Sequence, residues 1–499
     1  MDFDLPRAIR DTIATGGEGE ALAFDGRWRS WGWLGAVAAA IDRRLDEAGI
    51  APGAPVGLVA RNRPPHVAAF AALLAGRRAT IMIYAAQSAK GIAADIAALR
   101  LPALIADIED WSPEARDAAA GTGSLRLSLC DTVRGEDVVS AVGGLDRRGA
   151  GPFRSDSAGL ALELLSSGTT GAPKRIPLSW AAVSSAVASS SGAYAGSASR
   201  AAPVIMSHPL GNVAGLAYIA PPLAFGQRVV LLEKFEAAGW AAAVRNYRPV
   251  RASLPPAGVR MVLEQGIPRT DLVSLQLVAV GGGKLDVALQ DRFEERYGIP
   301  VLTAFGATEF GGVVANWTID VYRALGKIKR GSAGRASSGV ALRVVGRESF
   351  APLGPDEIGL LEAQVDRIGP GWIRTNDLAS LDAAGFLFLH GRADAAINRG
   401  GFKIVPDQVA DVLRRHPAVA DAAVAGLPDA RLGEVPVAAV ELVAGAEPID
   451  GEALRAWSRD YLIAYQVPTA IKIVDRLPRN AAMKVPLPEV LALFAPSGS

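Results

Sequence analysis

The stretch Leu277-Val-Ala-Val-Gly281-Gly-Gly-Lys-Leu-Asp-Val-Ala288-Leu-Gln-Asp-Arg-Phe-Glu-Glu-Arg-Tyr297-Gly-Ile-Pro-Val301-Leu-Thr303 holds the fold in miniature. Leu277 to Val280 is an apolar run of strand type that ends in three glycines, where the chain turns. Ala288 to Tyr297 then carries apolar positions at helical spacing, and Val301 to Thr303 is a second strand-like run. The same rhythm extends outward. Val56 to Val59, Ala103 to Ile105 and Val229 to Leu232 read as strands; Trp33 to Ala48, His66 to Leu74, Lys90 to Ala98 and Trp180 to Ser189 read as helices, most of them behind a turn or capping residue. This alternation predicts α/β architecture. No repeat with a period of about 20–50 residues is present, which excludes a solenoid or propeller.

The texture changes twice. From about Ser332 shorter strand runs follow one another, AGRASSGVALRVVG, then Ile358 to Val365, then FLFLHGR, and predict a β-rich subdomain over about 332–393. After Asp394, Val405 to Arg415 reads as a helix, Val419 to Gly426 and Val435 to Leu442 as strands, Gly451 to Ala464 as a helix and Ala470 to Val474 as a strand. The expectation is a large N-terminal domain, 1–393, of α/β sheets plus the β-rich subdomain, and a small α+β domain, 394–499, of a size that folds alone.

Composition narrows the function. At 499 residues, 50% hydrophobic and 21% charged, the chain is neither disordered nor fibrous. Its 52 Lys+Arg against 51 Asp+Glu give a net charge of +1, which argues against nucleic acid or an acidic membrane as the main partner and for a small-molecule substrate. The single cysteine, Cys130, can form neither an internal disulfide nor a thiolate zinc cage, so a reducing cytoplasm is expected. MDFDLPRAIRDTI has two acids in its first four residues and no apolar core, so no signal peptide is expected. Ala201 to Gln227 lacks any Asp, Glu, Lys or Arg, yet Pro203, Pro209, Pro221 and Pro222 fit a buried strand, turn and helix better than a membrane span.

The strongest local signal is Leu164-Leu-Ser166-Ser167-Gly168-Thr169-Thr170-Gly171-Ala-Pro-Lys174, with four hydroxyls, two glycines and a lysine behind an apolar run. Glycines let backbone N–H groups converge on an anion, hydroxyls add donors, and Lys174 adds charge, which together make a phosphate cradle. A P-loop would need Gly-Lys-Ser/Thr, whereas Lys174 stands between Pro173 and Arg175.

SSGTTGAPK resembles the phosphate-binding signature of the adenylate-forming superfamily, which comprises acyl-CoA synthetases, stand-alone adenylation domains and luciferases. The resemblance recurs in order along nearly the whole chain. It begins with ARNRPPHVAAFAALLAGRRATIMI and continues through Ser207-His208-Pro209-Leu210-Gly211 and Phe305-Gly306-Ala307-Thr308-Glu309. It then takes in WIRTNDLASLDAAGFLFLHGRADAAINRGGFKI and ends with Leu477-Pro478-Arg479-Asn480 followed by Lys484.

What the resemblance implies can be carried over residue by residue. Ser166, Ser167, Gly168, Thr169, Thr170, Gly171 and Lys174 would hold the ATP phosphates. Phe305 would stack on adenine, with Gly281, Gly282 and Gly283 lying against the base and Gly306 and Thr308 beside it. Glu309 would hold magnesium, with Thr169 as a second contact; this metal keeps mostly water and phosphate oxygens, so one carboxylate suffices. Asp377 would accept both ribose hydroxyls, and Arg392 would reach the ribose or phosphate. Asn376 stands where the family has glycine. His208 resembles the histidine between acid and nucleotide, with Asn212, Val213, Gly311 and Val313 lining the acyl pocket. Lys484 would be the catalytic cation at the α-phosphate, assisted by Thr308. Met483 replaces the expected glycine before it, which puts the lysine's placement in question. Asp394 resembles the hinge about which the small domain swings, and Gly401, Phe402 and Lys403 the walls of the thiol tunnel.

Three functions compete on this basis. The first is an acyl- or aryl-CoA synthetase using ATP, Mg2+ and CoA. The second is a stand-alone adenylation enzyme loading a carrier protein's phosphopantetheine. The third is a catalytically weak paralogue that binds nucleotide or acyl ligand. No acid stands from Met206 to Leu216, where amino-acid-activating members of the superfamily tend to hold an Asp for the α-amine, so the resemblance implies a fatty or aromatic carboxylate and not an amino acid. A family-like homodimer is compatible with the resemblance.

Overall fold

The computed structural model describes residues 3–130, 138–142, 148–165, 174–190 and 202–495. Its N-terminal part is layered α/β. A seven-stranded sheet runs, in spatial order, Val139–Ala141, Leu125–Leu129, Ala103–Asp107, Pro55–Ala60, Ala79–Tyr84, Leu160–Leu165 and Arg175–Ser179. Its five inner strands are parallel and its two edge strands antiparallel. The helix Pro64–Ala75 begins with two prolines, which a first turn tolerates because its N–H groups have no intrahelical partner. Beyond His66, which meets Asp107 at 3.3 Å, this helix is apolar on every side, so it can be satisfied only between layers, and every one of its residues is buried. Trp31–Glu47, Leu5–Gly16 and Val213–Phe225 pack in the same core.

A second sheet of nine strands begins with the opening βαβ unit. Arg251–Leu254, Leu277–Val280 and Val301–Ala307 pair in parallel, with Ala252 opposite Val278 and Val278 opposite Val301. The third of these strands outruns its parallel partner and pairs antiparallel with Gly312–Asn316. The sheet then continues through Ser332–Ala336, Phe386–Arg392, Trp372–Leu381, Gly359–Val365 and Val340–Val345. The β-rich region expected over 332–393 is therefore continuous with strands that precede it, because Val301–Ala307 belongs to both pairing schemes.

The C-terminal body carries its own sheet, Phe402–Ile404, Ile397–Arg399, Gly433–Leu442 and Val419–Asp429, with Ala470–Val474 parallel to the third of these. The helix expected over Gly451–Ala464 stops at Ser458, whose hydroxyl turns back to the Arg455 carbonyl at 2.8 Å. Ion pairs join this body to the larger one. Lys284 donates to Asp411 at 2.7 Å, and Arg260 lies 3.7 Å from Asp421. Asp421 is buried, which alone would raise its pKa, but Arg414, Arg260 and Arg479 hold the carboxyl well below its usual range. No helix among the described residues is long and apolar enough to cross a membrane, and Ala201–Gln227 contains the strand Val204–Met206 and the helix Val213–Phe225.

Phe70 is 0% exposed at the centre of the first core. Phe70→Ala is expected to destabilise the N-terminal body by about 3–5 kcal/mol, read as a lowered urea midpoint of its tryptophan-fluorescence transition.

Candidate active site

Strand ends that point the same way build the site. In open parallel sheets ligands sit beyond the carboxyl ends of the strands. Leu277–Val280 ends in Gly281–Gly283, Val301–Ala307 ends in Thr308–Phe310, and Val204–Met206 ends in Ser207-His208. Leu160–Leu165 leads into Ser166, Ser167, Gly168, Thr169, Thr170 and Gly171, which lie outside the described residues. Lys174 is exposed just ahead of the strand that follows.

Gly306 is fixed by close approach. A Cβ there would stand 2.5 Å from the Gly312 carbonyl oxygen and 2.8 Å from the Val313 Cα, both backbone atoms that cannot move aside. That contact lets Val301–Ala307 turn tightly against Gly312–Asn316, leaving Phe305 half-buried, its ring centroid 6.4 Å from that of Phe310. Thr308 is buried, and its carbonyl accepts from the Gly311 N–H at 3.0 Å; Glu309 is exposed. The opposite glycines border open space. Nothing lies within 4 Å of a Cβ built at Gly282, whose φ of +82° favours glycine, and the nearest atoms at Gly281 and Gly283 are 3.8 and 3.6 Å away. The room that side chains would fill here suits a flat base beside Phe305.

Asp377 and Arg392 sit opposite each other in register on adjacent strands. Arg392 grips Asp394 with two hydrogen bonds, 2.8 and 2.7 Å, while its contact to Asp377 is 3.7 Å. The Asp394 hydrogen bond accordingly raises the Arg392 pKa, whereas burial raises that of Asp377 and Arg392 only partly offsets it. Asp394 is further held by the Asn376 side-chain amide at 3.0 Å; burial notwithstanding, Arg392 and Asn376 hold its carboxyl below the usual range. Asn376, where the resemblance expects a glycine, thus bonds directly to Asp394, where it expects a hinge.

Lys484 comes from the C-terminal body. Burial and Arg392 lower its pKa, while Asp377 and Glu309 oppose them, so the lysine lies within electrostatic reach of all three. Its loop is locked by Asn480, whose side-chain oxygen accepts from the Ala482 and Lys484 N–H groups, each at 3.0 Å, and whose backbone N–H donates to the Lys484 carbonyl at 2.9 Å. Met483 takes the left-handed conformation, φ +62°, the backbone region that favours the glycine it replaces. The Arg479 guanidinium reaches the Met483 carbonyl at 3.3 Å and Asp421 at 2.6 Å.

His208 follows the strand Val204–Met206. Its Nε2 is 2.9 Å from Ser253 Oγ, and its ring stacks on Tyr218 at 5.1 Å and 17°. Burial lowers its pKa to about 4, so the ring is neutral at pH 7. Asn62 pins this segment. Its amide donates to the His208 and Leu232 carbonyls at 2.9 and 3.0 Å, and its oxygen accepts from the Leu210 N–H at 2.8 Å. Of the expected pocket residues, Asn212 uses its side chain to cap the helix Val213–Phe225, accepting from the Gly215 N–H at 2.8 Å, and Val213 packs against the first core. Gly311 and Val313 border a turn that Arg367 clamps through the Phe310 and Val313 carbonyls at 2.9 and 2.8 Å. Gly401, Phe402 and Lys403 are exposed on the C-terminal body, where Phe402 and Lys403 pair with Arg399 and Asn398.

The model of the AMP-binding enzyme matches residues 9–365, and that of its C-terminal domain matches 408–484. The chain belongs to the AMP-binding enzyme family. Within that family it is 32% identical over 372 residues to an indoleacetate–CoA ligase of Aromatoleum aromaticum, covering 70% of this chain and 71% of the relative. It is also 32% identical over 345 residues to a 2-succinylbenzoate–CoA ligase of Geobacillus kaustophilus, covering 64% and 67%. ATP-bound MatB from Rhodopseudomonas palustris, 22% identical, shares the fold with a TM-score of 0.83 over 99% of both chains. The expected fold class and the expected enzyme class, an AMP-forming acid–thiol ligase, both agree with these relatives.

An NMR titration of the His208 ring should find its midpoint near pH 4. The unfolded imidazole takes its proton near the ordinary value of 6.5, so stability should fall as pH drops from there toward 4 and be insensitive to this group above it. A midpoint near 6.5 would mean that the ring is solvated and free to gate as a cation.

Proposed function

We propose that this chain joins an apolar carboxylic acid to coenzyme A in two steps. A carboxylate oxygen attacks the α-phosphorus of ATP, the bond to pyrophosphate breaks, and an acyl-adenylate forms. The CoA thiolate then attacks the acyl carbon and AMP leaves. The observation that carries this reading is the convergence of Lys484, from one body, with Asp377, Arg392 and Glu309, from the other.

Each residue has a task in the proposal. Phe305 and Gly281–Gly283 flank the adenine, and Asp377 accepts the ribose hydroxyls. Segment 166–171 and Lys174 take the phosphates. Lys484 offsets the charge that builds between carboxylate and α-phosphate, where a preorganised cation counts most. Magnesium, when bound, neutralises phosphate oxygens, and exposed Glu309 is a fitting single carboxylate for it. Among the described residues no cluster of three His, Cys, Asp or Glu makes a self-sufficient metal cage, which accords with an ion carried mainly by phosphate and water. Neutral His208 stacked on Tyr218 gives the acid a flat, uncharged wall. That wall favours an aromatic acid within the fatty-or-aromatic class, as do relatives named for indoleacetate and 2-succinylbenzoate. For the second step the small domain, 394–499, turns about Asp394 in a reducing cytoplasm, withdraws Lys484 and brings Gly401, Phe402 and Lys403 to the adenylate.

Lys484→Ala should slow acid-dependent ATP–pyrophosphate exchange by about 10²–10³-fold without altering the thermal midpoint; equal rates would remove the lysine from the mechanism. With pooled aromatic and fatty acids, CoA should accelerate AMP release. Slow release indifferent to CoA would shift the acceptor to a carrier protein's phosphopantetheine.

A further inference from the structure

Asn376 meets the crossing between the two bodies at two points. Its carbonyl accepts from the Ala393 N–H at 2.7 Å, and its side-chain amide donates to the Asp394 carboxylate at 3.0 Å. Ala393 and Asp394 open the turn that leads into Ile397–Arg399, and the turn closes where the Ala396 N–H donates to the Ala393 carbonyl at 3.3 Å. A glycine at 376 would keep the backbone bond and lose the side-chain bond. The backbone does not ask for glycine there, since Asn376 lies outside the left-handed region, and the side chain is exposed. What asparagine adds at this position is its hold on Asp394.

That hold differs in kind from the one Arg392 exerts. Arg392 grips the same carboxylate at 2.8 and 2.7 Å, but it stands two residues before Asp394 in one run of chain, and its long side chain can follow a change in the backbone that joins them. Asn376 cannot follow. It lies within Trp372–Leu381, a strand paired on one side with Gly359–Val365 and on the other with Phe386–Arg392, and it reaches Asp394 through a short side chain. Any movement of Asp394 relative to that strand breaks the bond. Because the acceptor is a carboxylate, the bond is stronger than one between neutral groups.

We propose that Asn376 is a positioning residue for the order of the two half-reactions: its amide retains Asp394, and with it the body that carries Lys484, in the adenylate-forming orientation. Breaking that bond is then part of the barrier to thioester formation. The proposal rests on the two-step reading above, in which the small body turns about Asp394. Asn376 acts through the pivot, so its removal should quicken one half-reaction without quickening the other.

The test compares full-length Asn376→Ala and Asn376→Asp with the wild type. Alanine removes the donor, whereas aspartate keeps the shape and sets two carboxylates against each other. In single turnover from enzyme-bound acyl-adenylate, the CoA thioester should form about 3–10-fold faster in Asn376→Ala and at least as fast in Asn376→Asp, while ATP–pyrophosphate exchange does not rise. A merely structural role would slow both half-reactions together. Donor and acceptor dyes on Glu348→Cys and Glu447→Cys, both exposed positions, in a Cys130→Ser background, report the orientation of the two bodies without any reaction. In the unliganded protein the ratio of docked to undocked molecules should fall by the same factor in the variants. Equal ratios in all three proteins, an Asn376→Asp variant that behaves as wild type, or thioester formation that is unchanged or slower in Asn376→Ala would overturn the proposal. Absence of ATP–pyrophosphate exchange in the wild type would defeat the ligase reading, whereas the dye distances judge the hold on Asp394 on their own.

Discussion

One buried carboxylate, Asp421, ties the molecule together. Three guanidiniums from three places converge on it: Arg414 from its own body's first helix, Arg260 from the large body, and Arg479 from the loop that carries Lys484. Removing a single partner from such a knot would leave a charge stranded in a poorly solvated place. The knot therefore couples two facts that look separate, the seating of one body on the other and the direction of the lysine loop. Arg479 transmits the second directly, since the same side chain that reaches Asp421 also reaches the Met483 carbonyl.

The candidate site shows how charge is divided when several groups compete for one cation. Arg392 stands between Asp377 and Asp394, and its geometry favours the latter by two short hydrogen bonds against one long contact. Asp377 is thereby left with oxygens uncommitted to a strong ion pair, in a half-buried place where an incoming hydroxyl donor would be welcome. Asn376 completes the arrangement by binding Asp394 as well, so this carboxylate is held by residues from two adjacent strands.

Much of this was legible in the chain. Helix Trp180–Ser189 and strands Leu277–Val280 and Ala470–Val474 have the limits their apolar runs predict, because turn residues bound them on both sides. Val301–Ala307 was only half legible. Its first residues are plainly apolar, but Phe305 and Gly306 pair with a strand whose approach depends on the missing Cβ of Gly306. Asn212, expected beside the acyl pocket, also caps a helix, a role that its local spacing to Gly215 could have revealed. Asn62, Ser253 and Tyr218 could not be found that way. Their partners in the His208 segment are 10 residues away for Tyr218, 45 for Ser253 and 146 for Asn62, beyond any local spacing rule, and packing brings them together.

Met483 has a further meaning. A side chain in the left-handed region costs roughly 1–2 kcal/mol relative to ordinary backbone, and a glycine would be spared that cost. Glycine would also wander among many backbone conformations in the unfolded chain, and would have to give them up on folding. Methionine exchanges part of that entropic loss for a fixed enthalpic one. A loop built this way has fewer shapes to choose among when the chain folds, so its lysine is set in place with less to decide.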